Sequence, residues 1–417
     1  MATEFYVSLI HSFGVEGAKS GDTLRVRVPV RVQSTTGSAP AGTNFTETYK
    51  TVATQTQRNI LLEWTSKDLA LALDDFSDRV IEPVVAQLAS DIDSDGCTAA
   101  VAGSTVTNSG YVTANYAGSY SGIMGLATPG AISAVTGPAA WTGVDLGSGA
   151  SAANTATKPF FDAKARLDEQ SAPMKDRFCV LSPAAASATQ PNLLTIFNPT
   201  GAVSEMFEEG IMGQLAGAKF YQSQNIPLFT SGTWTNNANV SVTSNASGDT
   251  SLSLGRVGAS AAIADGDQFV VSGVYSVNPL NRQSTNKLQV FTVVSAVTAN
   301  AGGNVVVTVY PAIANSGNYQ TVSAVPQAAA NVTFMGTSNT STQANFMYQK
   351  NAIALVVAPL ARDLPGAEVS SVTDEEAGLS IRFAKQYQSL TDQVVNRLDV
   401  LYGWSVVRPE LGVRIQA

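Results

Sequence analysis

The stretch that most constrains this chain lies near its start. From Leu24 to Val32 the residues alternate Leu-Arg-Val-Arg-Val-Pro-Val-Arg-Val, apolar on one face and mostly arginine on the other. Strand side chains point to opposite faces with a period of two, so this segment reads as a strand with one dry and one wet face. Pro29 lacks the N–H that an interior ladder needs and marks the strand as an edge. Gln33 to Gly42 then turns to Ser, Thr, Gly and Pro, and Thr46 to Arg58 is polar and β-prone with no apolar face. The two halves read as the arms of a long protruding hairpin, Gln33 to Arg58, that has no core of its own. A lone hairpin is marginal in water, so this one is expected to be ordered only by lying on a neighbour.

Helix is predicted after Trp64, where Thr65 and Asp68 are spaced as a capping pair and Leu69, Leu71, Leu73 and Phe76 form an apolar face. A longer helix follows from Pro83, with Val84, Val85, Leu88, Ile92 and Ala99 to Val101 as its stripe, to about Ala102. Gly103 to Thr157 carries Asp145 as its single charge and is rich in Gly, Ala, Ser and Thr, which predicts an irregular insertion. Order resumes with a helix from Pro159 to Gln170, a turn at Pro173 and a buried strand Phe178–Leu181. A Gly-punctuated pair of short strands runs from Ala216 to Pro227. From about Phe229 to Gln343 the pattern changes to β-branched runs between Gly-, Asn- and Ser-rich turns, clearest at Gln268–Val271, Leu288–Val294 and Val305–Tyr310. Strands at that spacing predict a small barrel or sandwich. Ala352–Ala358 and Leu379–Ile415 return to apolar strands of the mixed type, so the β module reads as an insertion into an α/β body.

Length and charge narrow the function. A chain of 417 residues implies two or three compact units. Only 13 % of residues are charged, well below the roughly 25 % of an average soluble protein. A surface of small polar residues suits broad contacts with copies of the same chain, where each buried charge would have to be desolvated. The net charge of −8 argues against a surface that grips nucleic acid, which relies on Lys and Arg displacing counterions. Met1 to Gly14 lacks the basic start of a secretory signal, and no run approaches the roughly 18 apolar residues of a membrane span. Cys97 and Cys179 show no CxxC pattern and read as buried thiols of a reducing compartment.

The residues that invite a chemical reading also have plain ones. Asp91-Ile92-Asp93-Ser94-Asp95-Gly96 opens like a calcium loop, but its twelfth position would be Ala102 where a bidentate Glu is needed. The plainer reading is a solvated acidic helix face with a kink at Gly96. His11 is the single histidine, so histidine-based triads and zinc sites lack their parts. Cys179 lies between Phe178 and Val180, as a core thiol does. Glu208-Glu209 and Asp374-Glu375-Glu376 read as solvated charge runs. Trp64, Trp141, Trp234 and Trp404 are scattered with no stacking ladder, and Trp64 and Trp404 read as core anchors. Arg397 and Asp399 share one side of a strand with Arg408 nearby, and read either as a surface pair or as a contact between subunits. No catalytic, cofactor or metal residue is assigned.

The order of these features resembles the coat proteins of short-tailed phages of the Salmonella phage P-twenty-two type, which have the Hong Kong 97-like capsid fold. The hairpin Gln33–Arg58, the long helix Pro83–Ala102 and the segment GIMGQLAGAKFYQSQNIP from Gly210 to Pro227 come in the family's order. NAIALVVAPL (Asn351–Leu360) and NRLDVLYGWSVVRPELGVRI (Asn396–Ile415) are similar to its closing strands. The resemblance implies an α+β fold with a long spine helix, an extended hairpin loop, peripheral and axial domains, and an inserted all-β barrel. The expected division is 1–32 for an N-terminal arm and edge strand, 33–60 for the hairpin, and 61–102 for a peripheral domain with the spine helix. Then follow 103–157 as a Gly/Ser-rich insertion, 158–228 as the axial domain, 229–343 as the inserted barrel, and 344–417 as the return to axial and peripheral strands. It further implies a non-enzymatic major capsid protein that assembles with itself into pentamers and hexamers of an icosahedral shell. A scaffolding protein and a portal are the implied partners, with double-stranded DNA enclosed without sequence-specific binding, no membrane, no cofactor, and assembly in the host bacterial cytoplasm. An exported surface-layer or adhesin-like protein is the alternative, and a polysaccharide-acting enzyme is a third reading.

Overall fold

The computed structural model describes residues 23–32, 48–65, 81–103, 152–187, 213–235, 240–244, 246–335, 338–374 and 379–416. The chain begins with strands β1 (Thr23–Val28), β2 (Thr48–Ala53) and β3 (Thr56–Thr65), helices α1 (Glu82–Gly103) and α2 (Ala152–Glu169), and β4 (Arg177–Leu181). Next come β5 (Gln214–Leu215), β6 (Ala218–Gln222), β7 (Leu228–Thr230), β8 (Ser241–Ser244), β9 (Asp249–Gly255), β10 (Ala262–Ile263) and β11 (Gln268–Val277). They are followed by β12 (Ser284–Val293), β13 (Val297–Thr298), β14 (Val305–Ile313), β15 (Val332–Phe334) and β16 (Ser341–Gln349). The chain ends with β17 (Ile353–Ala358), β18 (Glu368–Asp374), β19 (Leu379–Gln388), β20 (Gln393–Val406) and β21 (Gly412–Gln416). These elements form two compact units, the first built from residues up to Val28, Thr48–Ala99 and Ile353–Val407.

The first unit is organised by β20. Along one edge it pairs with β3, and along the other it pairs first with β19 and then with β17. Even-numbered residues Val400, Tyr402 and Trp404 face α1, where Leu88 and Ile92 meet them with Ile60, Leu355, Leu379 and Ile381. Full burial of each such side chain is worth roughly 1.5–3 kcal/mol, so the apolar stripe of α1 is what holds the helix on the sheet. On the other face, Ala354 and Val356 of β17 pack with Val407 against Val26 and the fully buried Val52 of the β1–β2 pair. The hairpin base therefore has a core supplied by its own chain, which corrects the expectation of a coreless hairpin for these residues. Arg25 and Tyr49 lie on its outward face, the guanidinium 4.8 Å from the ring centroid.

Three further expectations shift. Thr56–Arg58 belong to β3 in the sheet and not to a protruding arm, because Ile60 and Leu62 further along the same strand carry it into the core. Helix α2 starts at Ala152, inside the stretch expected to be irregular, where alanines favour helix. Helix α1 continues through Gly96 for seven more residues, and the glycine makes room for an indole: a Cβ there would lie 2.7 Å from Trp404 Cζ2. The helix expected after Trp64, the hairpin tip from Gln33, most of Gly103–Thr157, and Trp141 lie outside the described residues.

In the second unit a mixed sheet runs β21-β16-β4-β6-β5, with β4 and β6 parallel. Helix α2 covers it through Phe160, whose ring meets Phe220 edge to face at 5.1 Å. The first residues of β16 pair with β7, so the chain enters and leaves the β-rich stretch between them on adjacent antiparallel strands. That stretch forms a six-stranded sheet, β15-β11-β12-β14-β9-β8, on a core that includes Phe269, Phe291, Phe334 and Trp234. Its two edges are joined: Val242 N–H donates to Ala330 O at 3.0 Å and Val332 N–H to Val240 O at 2.9 Å. The strands expected at Gln268–Val271 and Val305–Tyr310 extend to Val277 and Ile313.

The first unit has a close chain crossing at Gly403, where a Cβ would stand 1.9 Å from the carbonyl oxygen of Ala53. No L side chain fits there without moving backbone. Gly403→Ala is expected to lower stability by at least about 1–3 kcal/mol, read as a shift of the denaturant midpoint of the unassembled chain.

Candidate functional site

With no catalytic constellation expected, the groups that fix the architecture are the buried and half-buried ion pairs. Among the described residues the acidic run of α1 is helical, and the loop that a calcium reading required is not formed. Residues two apart on a helix do not share a face, so Asp93 points away from the side shared by Asp91 and Asp95. Asp91 accepts Gln87 Nε2 at 2.9 Å. Asp95 is bound by both ends of Arg58 from β3, at 2.7 and 2.9 Å to Nη2 and 3.1 Å to Nε, and by the Tyr402 hydroxyl at 2.5 Å. Burial opposes its ionisation, but the hydrogen bonds from Arg58 and Tyr402 outweigh it and hold the carboxyl below the ordinary range. Burial and Asp95 push Tyr402 up to about 12, so it remains a donor. The expected solvated face is thus a latch between α1 and the sheet, reinforced by Trp404 Nε1 donating to Ile92 O at 3.1 Å.

On the opposite face of β20, Asp399 is fully buried. Arg382 grips one oxygen at 2.5 and 3.2 Å, and Arg397 Nε holds the other at 2.7 Å. Arg382 also donates to Ala361 O at 2.9 Å. Asp399 is therefore not a surface group, which corrects the reading of a surface pair for that residue, while Arg397 stays partly exposed. Arg408 instead bonds Glu410 at 3.0 Å.

A third cluster lies in the second unit. Arg414, in the run Gly-Val-Arg-Ile of β21, is 2 % exposed. Its Nη2 donates to Gly266 O at 2.6 Å, and its guanidinium lies 4.0 Å from the Phe229 ring centroid. Gly266 has a φ of +84°, and a Cβ there would be 2.8 Å from Arg414 Nη1. The neighbouring Asp267 accepts N–H bonds from Ala264 at 2.8 Å and Gly232 at 3.1 Å. Burial pushes its carboxyl up to about 6, although those N–H groups, the Trp234 indole and Arg414 all favour its charge. Lys287 of β12 pairs with Glu169 at the end of α2, which Arg166 also bonds at 3.2 Å. Tyr310 of β14 donates to Glu410 at 3.1 Å. Charged side chains among the described residues thus join the stretch between β7 and β16 to the rest of the second unit through β21, α2 and the turn at Glu410.

Trp234 stacks on Phe334 at 4.9 Å in the sheet core, while Trp404 and Trp64 are half-buried in the first unit. Both cysteines are buried and free, and burial pushes their thiols up. Asp374 ends β18, whereas Glu375, Glu376, Glu208, Glu209 and His11 lie outside the described residues. No group of three or more metal-type side chains occurs among the described residues. No helix among them is long and apolar enough to cross a membrane. Sequence reasoning missed Arg58, Tyr402, Asp267, Glu410 and Arg414. A lone arginine inside an apolar run, as in Gly412–Ile415, is the signal that could have found one of them.

Asp399→Ala would leave Arg382 buried without its counter-charge and is expected to cost about 3–5 kcal/mol. Arg397, 42 % exposed at its side chain, is expected to cost under about 1 kcal/mol when changed to Ala, a contrast that denaturant titration of the two variants resolves. For Asp267 the folded-state value of about 6 stands above the ordinary 3.8. Its contribution to stability is therefore present below about pH 4 and is lost as pH rises to about 6. Relative to the parent, Asp267→Asn is expected to gain on the order of 2–3 kcal/mol between those pH values, followed as the difference in Tm between the two chains.

A comparison with curated proteins finds no match. Among solved structures the chain is similar to one described as Mycobacterium phage Che8, with a TM-score of 0.42 and 11 % identity over 95 % of this chain and 85 % of that one. It is similar to the capsid structure of the cyanophage P-SCSP1u at a TM-score of 0.44 and 14 % identity, over 95 % and 84 % of the two chains. A CUS-3 coat protein I-domain is covered completely by 25 % of this chain, at 18 % identity and a TM-score of 0.19. The family model for the P22 coat protein, gene protein 5, matches residues 139–416. That is about two thirds of the 417 residues, and the chain therefore belongs to the P22 coat protein family and is a major capsid protein of a tailed phage.

Proposed function

We propose that this coat protein has the Hong Kong 97-like fold, with α1 as spine helix, the β1–β2 pair as the base of the extended hairpin loop, and the six-stranded sheet as an inserted barrel. The division into arm, hairpin, peripheral, axial and inserted domains belongs to this proposal, with 229–343 as the insertion. What supports the last point is the pairing of β7 with β16, which puts the ends of the stretch side by side, together with the hydrogen bonds joining the edges of its sheet. Hairpin and helix precede the family match at residue 139, so their assignment stands on the sequence resemblance and on the packing of α1 and β2 on the two faces of β20.

The protein assembles into a shell, on this proposal an icosahedral one of pentamers and hexamers that encloses double-stranded DNA without sequence-specific contacts. A scaffolding protein and a portal are its further partners, assembly takes place in the host cytoplasm, and the protein does no chemistry. The observation that carries the assembly reading is the β1–β2 pair. Its base has an intrachain core, yet it launches a polar segment, residues 33–47, in which Phe45 is the one large apolar side chain from which to build another. Closed symmetric shells sum many individually weak contacts of this type. The family match displaces the surface-layer alternative, which required an exported protein.

Replacing residues 33–47 with a short Gly-Ser turn that rejoins β1 to β2 is expected to leave a folded subunit with unchanged Tm that fails to close shells. Negative-stain microscopy of the variant beside the parent reads the outcome. Uniform closed shells from the shortened chain would show that the contact between copies lies elsewhere.

A further inference from the structure

Directly after β1 the chain enters the second unit at Pro29 and passes Val30 to Arg31 and Val32, and both of the latter are held by other groups of that same unit. Arg282 Nη2 donates to the carbonyl oxygen of Val32 at 3.0 Å. Arg282 lies in the turn between β11 and β12, whose shape is fixed internally. Asn278 N–H donates to Gln283 O at 3.0 Å, Arg282 N–H to Asn278 O at 2.8 Å, and Leu280 N–H to Asn278 Oδ1 at 2.8 Å. The second hold is on Arg31, whose guanidinium stands 3.9 Å from Glu410 Oε1. Glu410 is itself buried and oriented from two sides, by Arg408 at 3.0 Å and by the Tyr310 hydroxyl of β14 at 3.1 Å. Burial, with the adjacent Glu410 carboxylate, pushes the Tyr310 hydroxyl up, so it stays a donor. One turn and one strand of the inserted sheet thus act, the turn directly and the strand through Glu410, on consecutive residues of the segment that leads to the hairpin tip.

We propose that the inserted sheet serves as a bracket for the outgoing arm of the hairpin: Arg282 and the Tyr310–Glu410 pair fix the direction in which the chain leaves Val32. A polar segment that must meet a second copy loses less conformational entropy on contact when its root is already fixed. Arg282, Tyr310 and Glu410 are in this sense positioning residues for assembly, and the inference rests on the proposed reading that the tip makes the contact between copies.

Spin labels on cysteines replacing Val32 and Leu280, both of which have exposed side chains, measure the bracket in the unassembled full-length chain. The Val32 contact uses only its backbone oxygen, and the native Cys97 and Cys179 are buried. The parent is expected to show one narrow distance distribution. Arg282→Ala combined with Glu410→Gln is expected to broaden it at least about twofold, and Arg282→Lys, which keeps a charged donor, to restore most of the width. A second pair, on Leu280 and Val306 within the inserted sheet, is expected to stay narrow throughout. An unchanged Val32–Leu280 distribution in the double variant would overturn the proposal. Should the Leu280–Val306 pair broaden as well, Tyr310→Phe, which removes a single hydroxyl, takes the place of the double variant with the same two outcomes. Microscopy of the unlabelled variants separates this inference from the reading beneath it. A broadened arm with irregular or open shells supports both, whereas a broadened arm with uniform closed shells keeps the bracket and overturns the hairpin tip as the contact between copies.

Discussion

The alternation of side chains along β20 decides where everything in the first unit goes. Its 14 residues place Val400, Tyr402 and Trp404 on one face for α1 and leave Asp399 and Gly403 on the other. The period of a strand is two, so a slip of one residue would put the Trp404 indole against Ala53 O and Gly403 under the helix. Neither exchange is tolerable. Gly96 leaves the gap on α1 that the indole fills, and Gly403 leaves the gap on β20 that the Ala53 carbonyl fills. The same alternation sends Arg58 of β3 toward Asp95 and Arg382 of β19 toward Asp399. Register, helix position and the crossing of the hairpin base are therefore one constraint.

In the second unit the corresponding role falls to β16 and its neighbour β21. β16 pairs first with β7 and then with β4 and β21, so the strand that follows the six-stranded sheet is also a central strand of the mixed sheet. Shared backbone of this kind limits how far the two sheets can tilt. Arg414 adds a directional bond, since its planar fork meets both the Gly266 carbonyl and the Phe229 face. A lysine has neither the plane nor the second nitrogen and would not satisfy both. Asp267 beside it closes the loop from within, at the cost of a buried carboxylate.

Features that follow from local periodicity were legible in the sequence. The stripe Val84, Val85, Leu88, Ile92 foretold α1 and its face, and the β-branched runs foretold strands of the six-stranded sheet. The strand read over Leu24 to Val32 runs only to Val28, because Pro29, read as an edge marker, ends the ladder. Features that depend on residues far apart were not legible. Asp95 looked solvated because its partners, Arg58 and Tyr402, are 37 and 307 positions away. Asp399 looked like half of a surface pair because Arg382, which encloses it, sits on a different strand. The hairpin looked coreless because the residues that receive Val52, Ala354 and Val407, come about three hundred positions later. In each case a polar or β-prone local pattern was right about conformation and silent about burial.

The distribution of charge ties these observations to the shell. With only 13 % of residues charged, the chain uses a notable part of them inside itself: Asp399 with Arg382, Asp168 with the buried Arg177, Glu410 with Arg408, and Arg414 on a carbonyl. Buried pairs of this kind add little net stability over apolar packing, but they penalise any alternative arrangement that separates the partners. Each of the two units is held to one internal arrangement in this way. Among the described residues the exposed large apolar side chains include Leu280, Val372 and Leu390, and contacts made through apolar groups are little affected by salt. Weak individual contacts suit a closed lattice in general, because a misplaced copy can dissociate before its neighbours trap it.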